Sequence, residues 1–90
     1  MIKVKVMFKS YLKMKTGMSE WEQTLPEGSS IYVLAVALGE TFGQDVAEYL
    51  IDPTTRAVSV LFTCNKKMCT KDQLIQDGDT VSIFPALAGG

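Results

Sequence analysis

Along the first nine residues Ile2, Val4, Val6 and Phe8 alternate with Lys3, Lys5, Met7 and Lys9. A period of two predicts a half-buried strand, because successive strand side chains point to opposite faces. Trp21, Gln23 and Leu25 alternate with Glu20, Glu22 and Thr24, which predicts a second strand closing a hairpin with the first. Residues 10–18 between them fit neither period and read as a connection turning at Gly17. Pro26-Glu27-Gly28 breaks the second strand, and Ser29 or Ser30 offers a helix N-cap. Ile31, Leu34, Ala35, Leu38 and Phe42 then recur at helical spacing, with Gly43 as the stop. Residues 45–50 suit a further short helical turn, ended by Asp52-Pro53.

The period of two returns at Val58, Val60, Phe62 and Cys64, set against Ser59, Leu61 and Thr63. Asn65-Lys66-Lys67 reads as a turn, with a short return strand near Met68 and Cys69. Gln76-Asp77-Gly78-Asp79 is a strong turn signal that leads into a last strand, TVSIFP. In that strand Val81 and Ile83 face one way, Ser82 and Phe84 the other. This order predicts an α+β fold of the β-grasp, or ubiquitin-like, kind. Its mixed sheet has four to five strands, the first and last parallel at its centre, with one main helix packed on one face. Residues 1–90 make a single domain, too short for two cores, and 86–90 form its C-terminal tail.

Composition narrows the function. A hydrophobic fraction of 47% against 21% charged residues is that of a globular domain. The longest apolar run, IYVLAVAL, is far below the ~20 residues that span a bilayer, and the alternating MIKVKV start lacks a signal-peptide core. A cytoplasmic protein with no membrane partner is the expectation. Nine basic and ten acidic residues leave a net charge of −1, which argues against nucleic acid as a partner. Yet Lys3, Lys5, Lys9, Lys13 and Lys15 all precede the first acid, Glu20. Two readings stand: a solvated face that blocks aggregation, or a patch that steers an acidic partner.

Histidine is absent, which removes the commonest general base and the commonest metal ligand. Two cysteines, Cys64 and Cys69, cannot supply a four-thiolate site or a Cys–His pair. Were Lys66-Lys67 a two-residue turn, the thiols would face each other across a hairpin, although a cytoplasmic setting favours free thiols. Their role reads either as structural or as redox and sulfur handling. Self-contained catalysis is not expected, nor is a metal or cofactor bound by the chain itself.

The end of the chain, Leu87-Ala88-Gly89-Gly90, is where chemistry is available. Gly89 and Gly90 have no Cβ, so the segment can thread a narrow channel. A terminal carboxylate, with a pKa near ~3.5, is ionised and nucleophilic at neutral pH. Such a group can attack the α-phosphate of ATP if a partner supplies magnesium and cationic groups. Phe84 and Met7 fall on the outer face of adjacent strands, and Met68 can join them. That set reads as a docking surface at the root of the tail, or as mere cover for an open sheet face.

The stretch Leu74-Ile75-Gln76-Asp77-Gly78-Asp79-Thr80-Val81-Ser82-Ile83-Phe84-Pro85, closing on Ala88-Gly89-Gly90, resembles the ending of the MoaD/ThiS sulfur carriers. Met1-Ile2-Lys3-Val4 and Leu25-Pro26-Glu27-Gly28-Ser29-Ser30-Ile31 are similar to the family as well. The resemblance implies a non-enzymatic carrier whose Gly90 is adenylated by a ubiquitin-activating-type enzyme, with ATP and Mg used by that partner. A sulfurtransferase then supplies sulfur to leave a thiocarboxylate. In the molybdopterin branch the tail enters a large synthase subunit, which implies partner contacts for Phe84, Met7, Met68, Pro85, Leu87 and Ala88. Ala86-Leu87 stand where many relatives carry a second proline, so the tail is less stiff. The molybdopterin or tungsten-cofactor branch is favoured by length and by FPALAGG. A thiamine-type carrier, a prokaryotic protein modifier and a β-grasp binding module remain as alternatives.

Overall fold

Val4 and Val6 are fully buried at 0% exposure while Lys3 and Lys5 are exposed, so the alternation at the start of the chain is that of a strand with one face in the core. The computed structural model describes residues 1–86. Its strands are β1 (Ile2–Phe8), β2 (Glu20–Leu25), β3 (Val60–Cys64), β4 (Lys67–Cys69) and β5 (Thr80–Pro85). They form one sheet in the order β2-β1-β5-β3-β4, with β1 and β5 parallel at its centre and the other pairings antiparallel. This is the ubiquitin-like β-grasp arrangement.

Three helices lie among the described residues: α1 (Ser10–Thr16), the main helix α2 (Ile31–Phe42), and α3 (Gln44–Leu50), the last where a short helical turn is expected. α2 carries the expected stripe, with Ile31, Leu34, Ala35 and Leu38 buried, and Ser30 caps it by accepting from the Val33 N–H at 3.3 Å. The supposed connection after β1 is α1. It buries only Leu12, so it shows no apolar period. Lys13 and Lys15 in its last turn favour the negative end of the helix dipole, and Gly17 closes it by donating to Lys13 O. The antiparallel β1–β2 pair is therefore joined through a helix, not a tight hairpin.

α1 is held to α3 by a Tyr11–Tyr49 ring contact at 4.5 Å and a Lys15–Asp45 ion pair at 2.7 Å. Phe42 at the end of α2 meets Phe8 and Trp21 edge-on, with centroids 5.5 and 5.0 Å away. β3 begins at Val60, later than the alternation implied, because Val58 instead forms an isolated bridge with Ile51.

The Asp77-Gly78-Asp79 turn fixes the central parallel pair. Gly78 sits at φ 87, a conformation open to a residue without Cβ, and its N–H donates to Lys3 O at 2.8 Å. The Lys3 N–H donates to Asp77 Oδ1 at 2.8 Å, and the Lys5 N–H to Asp79 O at 3.0 Å. β5 is thus pinned to β1 before its ladder begins, and it runs on to Pro85, its last residue.

Candidate functional site

All three helices pack on the face that buries Val4, Val6, Val81 and Ile83, which leaves the other sheet face open. The ladder register decides what meets there. Leu61 lies directly opposite Phe84, and Thr63 lies opposite both Ser82 and Met68. Met7 is opposite Ser82 across the parallel pair, so it sits diagonal to Phe84, within reach of a long side chain. Phe84, Leu61 and Met68 are exposed at 37%, 41% and 65%, and Met7 is half-buried.

The face therefore has a Leu61–Phe84 apolar pair, with Met7 and Met68 diagonal to it on either flank and small hydroxyl residues between them. Met7 and Met68 are three strand spacings apart, about 14 Å, so they border the patch rather than touch. Methionine's flexible thioether suits such borders. Leu61 is the member that sequence reasoning passed over. Its signal was present, since it alternates with Val60 and Phe62, but a leucine inside an apolar run invites assignment to the core.

Pro85 is exposed, ends β5 opposite Val60, and has no N–H with which to continue the ladder. Leu87, Ala88, Gly89 and Gly90 lie outside the described residues. The patch and the root of the tail share one strand, since Phe84 and Pro85 are consecutive in β5.

The expectation of facing cysteines is corrected. Asn65 and Lys66 take φ of 53 and 73, the positive values that a two-residue hairpin turn needs, so Lys67 already belongs to β4. Cys64 then pairs with Lys67, and Phe62 with Cys69, which places the two thiols diagonally. Both are free and lie on the helix-facing side beside the core. Burial, then the Asp79 carboxylate that its thiol donates to at 3.4 Å, pushes the Cys64 pKa up to about 11. Burial also raises that of Cys69. A protonated thiol is a poor nucleophile. Among the described residues no three Cys, Asp or Glu side chains gather as a metal site, and no helix is long and apolar enough to cross a membrane.

The ThiS family model matches residues 6–90. The chain belongs to the ThiS family. Its members are small ubiquitin-like sulfur carriers and modifiers that work with activating enzymes and partner proteins and are not themselves catalysts. A solved structure of a putative molybdopterin converting factor, subunit 1, from Pyrococcus furiosus is 25% identical, with a TM-score of 0.80 over 97% of this chain and 100% of that one. Small archaeal modifier protein 1 from Methanosarcina acetivorans is 18% identical, with a TM-score of 0.82 over 100% of this chain and 98% of that one. A chain in the BexX/CysO complex of Amycolatopsis orientalis is 21% identical, with a TM-score of 0.68 over 97% of this chain and 99% of the other. At these last two identities the likeness is one of fold. No curated protein matches the sequence.

Within the ThiS family frame, the open face and the helical face divide the labour of this chain. The helical face is built of buried aliphatic and aromatic contacts, whereas the open face carries apolar side chains with nothing of the described chain over them.

Proposed function

We propose that the chain is a cytoplasmic sulfur carrier for molybdenum- or tungsten-cofactor synthesis, loaded at the Gly90 carboxylate. The observation that carries this reading is the exposed Leu61–Phe84 pair, whose Phe84 lies on the strand that leads into the tail. An apolar patch at that place lets a partner hold the fold while the tail enters its active site. The full-length likeness to the Pyrococcus furiosus protein supports the choice of branch.

The chemistry needs little from the chain beyond Gly90. Its carboxylate oxygen attacks the α-phosphate of ATP on the activating partner, where magnesium offsets the phosphate charge, and pyrophosphate leaves. The outer sulfur of a sulfurtransferase's cysteine persulfide then attacks the acyl carbon and displaces AMP, and a second thiol of the partner cleaves the acyl disulfide so formed, keeping a disulfide itself. The resulting thiocarboxylate is the sulfur donor for a large synthase subunit. Gly89 keeps the approach narrow, while Pro85, Leu87 and Ala88 run along the entrance with Phe84, Met7 and Met68 docked behind. Cys64 and Cys69, protonated and on the opposite face, take no part.

The chain is co-expressed with an activating enzyme and a sulfurtransferase, and its intact mass is taken. A gain equal to the replacement of one oxygen by sulfur is expected, lost on deletion of Gly90. Unmodified mass under conditions that load a control carrier removes the proposal. Rescue of cells defective in molybdopterin synthesis, and not of thiamine-defective cells, is the expected branch result. The fold shared with the Methanosarcina modifier protein favours one other reading, in which the adenylated Gly90 is attacked by a lysine amine. Isopeptide-linked conjugates instead of a thiocarboxylate would identify it.

A further inference from the structure

A groove of about 510 Å³ runs over β1 and β5, lined by Lys5, Met7, Lys9, Thr80, Ser82 and Lys66, with Glu20 and Asn65 also in its lining. We propose that it seats an extended acidic segment of the partner protein, two carboxylates meeting Lys5 and Lys9 and an apolar residue between them lying on Met7. The inference rests on the carrier reading only in supposing that a partner docks on this face.

The spacing comes from the backbone. Lys9 follows β1 with φ −125 and ψ 153, still extended, so residues 5, 7 and 9 share one face. Their side chains repeat every ~6.6 Å, and alternate residues of any extended peptide repeat at the same interval. An acid–x–apolar–x–acid segment therefore matches lysine, methionine and lysine in turn. Lys66 closes one end, because Asn65 binds its hairpin to β5 through N–H donation to Thr80 O at 2.8 Å and acceptance from the Thr80 N–H at 3.0 Å.

The charge in the groove is largely uncompensated. Lys5 pairs with Glu20 at 3.7 Å, both side chains being 57% exposed, and such surface pairs are weak enough for an incoming carboxylate to displace. The other ion pairs among the described residues are Lys15–Asp45 and Lys71–Asp72, so Lys9 and Lys66 face the groove without a paired acid. Glu20 in the lining and Glu22 opposite Lys5 disfavour a nucleic-acid backbone, which presents negative charge continuously. A short peptide brings only one carboxylate near them, at Lys5, where an unbroken run of phosphates would bring several. Met7 joins this groove to the Phe84 patch, so one partner can use the two together.

The test is a titration of the full ¹⁵N-labelled chain with acetyl-Glu-Thr-Leu-Thr-Glu-amide at low ionic strength. Saturable shifts are expected at the amides of Lys5, Met7, Lys9, Lys66 and Ser82, fading at high salt. The double variant Lys9→Gln/Lys66→Gln should bind about tenfold more weakly, at about threefold per exposed charge. Glu20→Gln should bind about threefold more tightly, a gain that no loss of folding can imitate. The inference is overturned by shifts centred on Lys13 and Lys15, by equal binding of the lysine-for-glutamate peptide, by the absence of saturable shifts, or by tighter binding of a single-stranded oligonucleotide. Sulfur loading at Gly90 is read separately by intact mass. A chain that loads sulfur and ignores the peptide loses this inference alone, and one that binds the peptide but never loads loses the carrier reading alone.

Discussion

Asp79 ties three parts of the chain together. Its Oδ2 accepts from the Gln76 N–H at 2.8 Å and its Oδ1 from the Asn65 amide at 2.9 Å, while the Cys64 thiol donates to Oδ2. Burial alone would push its pKa up, but these donors outweigh burial and hold it below the ordinary 3.8. A carboxylate whose folded pKa is depressed stabilises the fold above its unfolded value, and that contribution drains away as pH falls through the folded pKa. Asp79→Asn should therefore lower Tm at neutral pH and flatten the acid limb of Tm against pH. An unchanged acid limb would assign acid sensitivity elsewhere. The turn at 77–79 was legible from its residue types, since Asp-Gly-Asp has few other uses. The reach of Asp79 to Asn65 and Cys64 was not, because those contacts exist only once the β3–β4 hairpin lies against β5.

At the scale of elements, what could be read depended on how much of each one is buried. β1 and α2 bury four or more side chains apiece, at periods of 2 and 3.6, and both were legible. α1 buries one, so its period is absent from the sequence even though the helix is present. The hairpin turn was placed one residue late because Lys66, a poor choice for positive φ, occupies a position where glycine is usual. The crossing of α2 over α3 was also hidden, since it depends on a residue with no side chain. A Cβ built at Gly39 would lie 2.7 Å from Ala47 Cβ and 2.9 Å from Ala47 Cα. The nearest atoms belong to the α3 backbone or are fixed to it, so the helices must separate to admit a methyl group. Gly39→Ala gains about 1 kcal/mol of helix propensity, against about 1–3 kcal/mol for overpacking. A net loss near ~1 kcal/mol is expected, a fall in Tm of about 4–8 °C. Calorimetry of Gly39→Ala, with Gly39→Ala/Ala47→Gly restoring part of the loss, checks the contact. A more stable single variant would mean the helices have slack.

For the molecule as a whole, the sheet divides two kinds of apolar residue that look alike in sequence. Those facing the helices set stability, and truncating one leaves a cavity that costs about 2–5 kcal/mol. Leu61 and Phe84 face outward, 41% and 37% exposed, so their truncation leaves no cavity in the core. Their energetic weight should appear only when a second protein covers them, where buried apolar anchors dominate binding. Leu61→Ala and Phe84→Ala are each expected to move Tm by no more than the shift of about 0.5 kcal/mol typical of surface sites. Each should weaken association with the co-expressed activating enzyme or synthase subunit by about tenfold, the effect of a ~1.4 kcal/mol anchor. Because the two residues are direct cross-strand neighbours, the double variant should fall short of the product of the singles. Calorimetric titration of the isolated pair of proteins, beside thermal unfolding of the carrier alone, measures both quantities. Leu61 decides the matter, since residue type alone leaves it undistinguished from Phe62 beside it. A variant that unfolds the chain while binding normally when folded would make Leu61 a core residue. One that spares the fold and loses the partner makes the open face the working surface of this protein.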